Sequence, residues 1–99
     1  MKPLIHFAHA NGVPSKVYQK LFDGLQENYD IIYVPLLGPD KRYPIDNHWK
    51  SLTQQVIDSI VRQSQGRPVI GLGHSLGSVL TFQAALQRPE LFSQMIMLD

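Results

Sequence analysis

The stretch Val69-Ile70-Gly71-Leu72-Gly73-His74-Ser75-Leu76-Gly77-Ser78-Val79-Leu80 decides how this chain is read. It places a G-x-S-x-G pentapeptide between an apolar run and a helical pattern. A serine at the apex of a sharp strand-to-helix turn takes a strained backbone conformation, costing about 1–3 kcal/mol, which holds its hydroxyl clear of the sheet. Gly73 and Gly77 make such a turn sterically possible, because glycine lets two backbones approach closely and carries no Cβ penalty. The pattern nominates Ser75 as a nucleophile and the backbone NH of Leu76, the residue after it, as a donor to a developing oxyanion. No histidine follows Gly77 to act as its base.

Working outward, the chain alternates strand and helix signals. Residues 4–8 form a short apolar run bounded by Pro3 and by His9-Ala10-Asn11-Gly12, which predicts a strand buried on both faces. From Ser15, a plausible N-cap, the residues Val17, Tyr18, Leu21, Phe22 and Leu25 recur at threes and fours, predicting a helix. Residues 31–35 are β-branched and aromatic, a second strand. Residues 36–47, with Pro39 and Pro44, form an irregular connection. Trp49, Leu52, Val56 and Ile60 share one face of a helix over 48–65, with Asp46 or Asn47 as N-cap and Gly66 at its stop. Residues 69–73 make the third strand and 75–87 the third helix. That helix is apolar on nearly all sides and is expected to be the most deeply buried of the three. A fourth apolar run, Met95, Ile96, Met97 and Leu98, ends at Asp99.

The order βαβαβαβ predicts an α/β fold with right-handed crossovers, a parallel sheet and helices on both faces. The expected strand order is 2-1-3-4. It puts the switch point between the first and third strands, whose C-terminal ends carry the His9 loop and the Ser75 turn, and open α/β sheets bind ligands at such a crevice.

Composition narrows the partners. Ninety-nine residues suit one domain, spanning 1–99, and 43% hydrophobic with 17% charged residues is the balance of a globular protein. A net charge of +1, with basic residues scattered singly, offers no stripe for nucleic acid or an anionic membrane. The absence of cysteine excludes disulfides, thiolate metal sites and a cysteine nucleophile. The N-terminus lacks a signal-peptide core and nothing approaches the ~20 apolar residues of a membrane span, so a cytoplasmic location is the default expectation.

Acyl transfer by serine needs a nucleophile, a base, an acid to orient the base, and two NH donors for the oxyanion. Ser75 and Leu76 fill two of these places, and the second donor is expected from the loop after the first strand. Among the histidines, His74 points into surrounding packing, His9 braces its loop, His6 lies within a strand and His48 starts a helix.

The strand followed by His9-Ala10-Asn11-Gly12-Val13-Pro14, the Pro39-Asp40-Lys41-Arg42-Tyr43-Pro44 loop before the Trp49 helix, Gly73-His74-Ser75-Leu76-Gly77, and a strand ending in Asp99 together resemble the front half of an α/β-hydrolase. The likeness is to esterase- and lipase-like members with a histidine-glycine type loop. It implies Ser75 as nucleophile and the NH groups of Leu76 and Asn11 as the oxyanion hole, with Ala10 or Val13 taking the donor place in other alignments. It implies Ala10, Gly12, Val13 and His74 around a small ester-like substrate, no metal or organic cofactor, and Asp99 as a candidate acid. The chain departs from the family at its ends: the antiparallel strands before Leu4 and the later strands that carry acid and histidine have no counterpart. The 99 residues are therefore expected to be a truncated, catalytically weak hydrolase domain, prone to self-association along the 95–98 strand.

Two other readings use the same residues. Gly71, Gly73 and Gly77 followed by Asp99 imitate a dinucleotide fingerprint, the glycines admitting a pyrophosphate and Asp99 binding a ribose hydroxyl. Alternatively, the chain is a non-catalytic remnant retained as an interaction module.

Overall fold

Strand β1, Leu4–Ala8, is buried along its whole length, as a strand covered by helices on both faces must be. The computed structural model describes residues 2–9, 15–34 and 50–98. Within them β1 is followed by a 3-10 turn at Ser15–Tyr18 that leads into α1, Gln19–Leu25. Then come β2 (Asp30–Tyr33), α2 (Lys50–Ser64), β3 (Val69–His74), α3 (Leu76–Gln87), a 3-10 turn at Pro89–Leu91 and β4 (Phe92–Leu98). All four strands are parallel in the order β2-β1-β3-β4. This is the predicted order, with its switch point between β1 and β3.

Side-chain alternation along the strands divides the core into two layers. Leu4 and Ala8 of β1 and Val69 of β3 meet Leu52, Val56, Ile57 and Ile60 of α2 and Leu80 and Ala84 of α3. On the opposite face Ile5, Phe7, Ile70 and Leu72 meet Phe22, with Tyr18, Leu21 and Leu25 packed around them. The α2 stripe is the predicted one, joined by Ile57. Its proposed N-caps, together with His48 and Trp49, lie outside the described residues, as do Pro35 and the 36–47 connection, while Gly66, the expected stop, follows the helix at φ 86°.

Three features differ from expectation: β4 begins at Phe92, three residues before the apolar run that marks it, and the first and third helices depart as follows. The first helix starts as a 3-10 turn, and its α-helical part begins only at Gln19, with Tyr18 at the N-cap. The third helix is not the most deeply buried. It packs on the sheet through Gly77, Ser78, Leu80, Thr81 and Ala84, while Val79 and Phe82 are each 44% exposed and Leu86 68%. An all-round apolar helix buries only the sides that meet a partner, and no described element covers the side that carries Val79, Phe82 and Leu86.

His6 turns toward α2, where its Nε2 lies 2.8 Å from Ser59 Oγ. Ser59 Oγ also accepts the Gln63 side-chain amide at 2.8 Å, so the hydroxyl bridges the His6 ring and Gln63. The other ring nitrogen of His6, Nδ1, is buried without a partner. Burial alone lowers the His6 pKa from 6.5 to about 3, because an imidazolium here would lose its hydration.

The unfolded chain therefore binds one more proton than the folded one between pH 6.5 and about 3. Stability is greatest above pH 6.5 and falls with acidification across that window, by up to about 1.4 kcal/mol per pH unit. His6→Gln, whose amide can donate to or accept from Ser59, is expected to flatten the slope of Tm against pH in that range by one proton's worth.

Candidate functional site

The site forms where β3 gives way to α3. Ser75 stands between them at φ 57° and ψ −116°, left-handed backbone that a residue with a Cβ occupies only when its surroundings enforce it. Three glycines provide that enforcement, each by close packing within the chain. A Cβ on Gly71 would lie 2.7 Å from the Thr81 methyl and 2.8 Å from the Phe92 ring. One on Gly73 would meet the Gly77 and Ser78 backbone at 2.6 Å, and one on Gly77 would overlap the carbonyl of Ala8 and crowd that of His9. The volume left by the missing side chains is thus filled by this chain's own atoms rather than held open for a pyrophosphate.

The Ser75 residue is exposed, and its hydroxyl makes no capping bond to the helix it precedes. A serine at an N-cap ordinarily uses its oxygen on the N2 or N3 backbone NH, so this one is left available. Leu76 is the first residue of α3, where backbone NH groups have no intrahelical acceptor and the helix dipole favours negative charge.

The turn is fastened from two sides. On the α3 side the backbone NH of Ser75 donates to the Leu98 carbonyl at 3.1 Å. The buried Ser78 hydroxyl lies 2.6 Å from the Gly73 carbonyl oxygen and 3.1 Å from that of Leu98, its one proton shared between them. On the α1 side His74 Nδ1 and the Tyr18 hydroxyl are 2.9 Å apart, with their rings edge to face at 5.8 Å. Beside Ser75 opens a groove of about 750 Å³, walled by Leu76, Val79, Phe82, Met97 and Leu98. Its lining is mostly apolar, with Ser75 and Ser78 as its polar members.

Ser75, Leu76 and His74 are together, and His74 is packed as expected. His9 follows β1 and is fully buried. His6 lies on the α2 side, away from this turn, bound to Ser59. Ala10, Asn11, Gly12, Val13 and Asp99 fall outside the described residues. Sequence reading missed Ser78 and Tyr18. The signal for Ser78 was a polar residue in the first turn of an otherwise apolar helix, and for Tyr18 a hydroxyl on an apolar stripe. Among the described residues no cluster of histidines and carboxylates is suited to a metal ion, and no helix is long and apolar enough to cross a membrane.

The sequence profile of the Thioesterase domain family matches residues 2–94. The chain belongs to that family. This thioesterase-family chain is 32% identical over 84 residues to the uncharacterized hydrolase YugF of Bacillus subtilis (strain 168), an overlap of 82% of this chain and 30% of YugF. It is 23% identical over 107 residues to the type I acyl-CoA thioesterase mpaH of Penicillium roqueforti (strain FM164), covering 93% of this chain and 25% of that protein. It therefore spans about 30% or less of the length of these curated relatives. Among solved structures it is similar to a CIB-like hydrolase from Thermoplasma acidophilum, with a TM-score of 0.80, 18% identity, and coverage of 96% of this chain and 50% of that one. It is also similar to an extracellular α/β-hydrolase from a Paenibacillus species, with a TM-score of 0.75, 19% identity, and coverage of 96% and 39%. The thioesterase domain from the curacin biosynthetic pathway gives a TM-score of 0.75 at 20% identity, covering 95% and 35%. These likenesses establish an α/β-hydrolase fold.

Removing the Ser78 hydroxyl in Ser78→Ala leaves the buried Gly73 carbonyl without this donor and is expected to cost the thioesterase-family domain about 1–3 kcal/mol in chemical denaturation. Gly77→Ala drives a methyl group into backbone rather than into a side chain that can move. It is expected to be at least as damaging, lowering Tm and displacing the turn.

Proposed function

We propose that Ser75 is the nucleophile of a hydrolase that cleaves ester-like acyl bonds, thioesters among them, through an acyl-enzyme. The observation that carries the reading is an exposed serine held at positive φ between β3 and α3, whose hydroxyl is not used to cap the helix. In this reading Ser75 Oγ adds to the acyl carbonyl carbon as its proton passes to a base. The carbonyl oxygen, now negative, is met by the NH of Leu76 and by a second NH from the 10–14 loop, assigned to Asn11. The tetrahedral intermediate collapses, the thiol or alcohol leaves with a proton, and water releases the acid by the same steps. The groove along Val79, Phe82 and Met97 suits the apolar part of the acyl group, because burial there removes hydrocarbon from water. Family membership and the description of mpaH as an acyl-CoA thioesterase support an acyl substrate.

The base is not assigned within these residues. His6 is turned to Ser59 and His74 Nδ1 to Tyr18. Asp99, the candidate acid, keeps that role as part of the proposal. A serine with an oxyanion hole but no base retains only a modest acceleration, roughly 10³–10⁴ over water in well-studied serine hydrolases. The 99-residue chain is accordingly expected to turn over acyl esters slowly.

Incubation with a fluorophosphonate followed by peptide mass spectrometry is expected to place a single adduct on Ser75. Ser75→Ala is expected to abolish that adduct and any ester hydrolysis above background. Equal hydrolysis by the Ser75→Ala chain would remove Ser75 from the reaction.

A further inference from the structure

The Ser75 turn has two arms, the last residues of β3 before it and the first turn of α3 after it. Ser75 lies between them in backbone that strains a residue with a Cβ, and such a conformation persists only where the surroundings over-determine it. Glycine supplies half of that determination. Gly73 packs against the backbone of Gly77 and Ser78, a contact that stops the arms from closing further but does not stop them from opening. The opposing restraint comes from a side chain. Ser78, in the first turn of α3, sends its hydroxyl back across the turn to the Gly73 carbonyl, five residues earlier, at 2.6 Å. The same hydroxyl is 3.1 Å from the Leu98 carbonyl oxygen, which also accepts the Ser75 NH at 3.1 Å. One hydroxyl therefore ties both arms, and it shares an acceptor with the apex.

We propose that Ser78 is a positioning residue: its hydroxyl, reaching from α3 to the carbonyls of Gly73 and Leu98, holds the Ser75 turn at the opening that aims Ser75 Oγ and the Leu76 NH at one reacting centre. The proposal rests on the reading of Ser75 as nucleophile. Steric contact alone sets a smallest separation, whereas a hydrogen bond fixes distance and angle together. Ser78 is 8% exposed, so water does not readily replace the bond once the hydroxyl is gone. The arms then relax toward less strained backbone at Ser75. The Leu76 NH belongs to the first turn of α3 and turns with it. Misplacement by about 1 Å near reacting atoms lowers rates by up to about 10²-fold.

Fluorophosphonate labelling reads this geometry, because Ser75 Oγ bonds to phosphorus as fluoride leaves and the phosphoryl oxygen stands where an acyl oxygen would. Labelling is followed against reagent concentration well below each variant's Tm, with Ser75→Ala as the blank. Ser78→Ala is expected to lower the limiting rate constant at least about tenfold with the half-saturating concentration unchanged. Ser78→Thr, which keeps the hydroxyl, is expected to retain most of the rate. Ile60→Val, which loses a methyl group from the α2 stripe of the core and so lowers stability without touching the turn, is expected to label at the unsubstituted rate. An unsubstituted rate in Ser78→Ala, or a Ser78→Thr protein as slow as Ser78→Ala, overturns the positioning role and leaves the nucleophile standing. An equal loss in Ile60→Val overturns it too, since the rate then follows stability. Absence of any Ser75 adduct in the unsubstituted protein overturns the nucleophile and the positioning role together. Should Ser78→Ala fail to fold, Ser78→Cys, a weaker donor, takes its place: it is expected to label more slowly than Ser78→Thr, and equal rates in the two overturn the proposal.

Discussion

Gly77 sits with its backbone on the carbonyls of Ala8 and His9, and the rest of the structure depends on that contact. Its closeness brings the first turn of α3 down onto the end of β1, although α3 is connected to β3. A side chain at position 77 would lift the helix away from the strand and separate the Ser75 turn from the segment that leaves β1. The same requirement propagates to Gly73, which faces the Gly77 backbone, and to Gly71, which faces Thr81 and Phe92. Three glycines in seven positions form one continuous surface of close approach between sheet and helix. Volume is removed there because helix and strands must touch along their backbones.

The two faces of the sheet have different chemistry. The α1 face is aromatic: Phe7 packs with Tyr18 at 4.5 Å and with Phe22 at 5.3 Å, and Tyr18 carries the contact on to His74. The α2 and α3 face is aliphatic, but it contains the buried His6–Ser59 pair and a further orphaned hydroxyl on Thr81. Polar groups buried with incomplete partners cost stability. In exchange the His6–Ser59 bond, extended through Gln63 to the Tyr33 carbonyl, fixes α2 against β1 and β2 at one register. The site lies between these faces, held on one side by hydrogen bonds to the end of β4 and on the other by Tyr18.

Much of this was legible in the residue pattern. The pentapeptide after an apolar run marked a strand, a turn and a helix, and the structure has them within one residue of expectation at β3 and α3. The 2-1-3-4 order followed from alternating elements and crossover handedness, which leave few topologies open. Less legible was burial. The apolar positions of α3 recur on nearly every side, and periodicity carries no information on which side has a neighbour. Val79, Phe82 and Leu86 face outward because no described element meets them, a fact that only the arrangement of elements contains. The side-chain spacing predicts a continuous helix from Ser15, yet its first four residues are wound as a 3-10 turn, a difference of hydrogen-bond pitch that such spacing does not resolve.

By itself, then, the sequence determined the sheet and its order, the serine at the β3–α3 junction, and the need for glycine on either side of it. These are properties of local pattern and steric permission, carried by residues close together in the chain. Only the tertiary structure decided what holds that serine in place. Tyr18 meets His74 across 56 positions, Ser78 and the Ser75 backbone converge on the Leu98 carbonyl, and Gly77 lands on a strand nearly seventy residues earlier. Such partners are brought within bonding distance by the parallel pairing of β1, β3 and β4. A hydrogen bond between residues distant in sequence exists only once that sheet has formed.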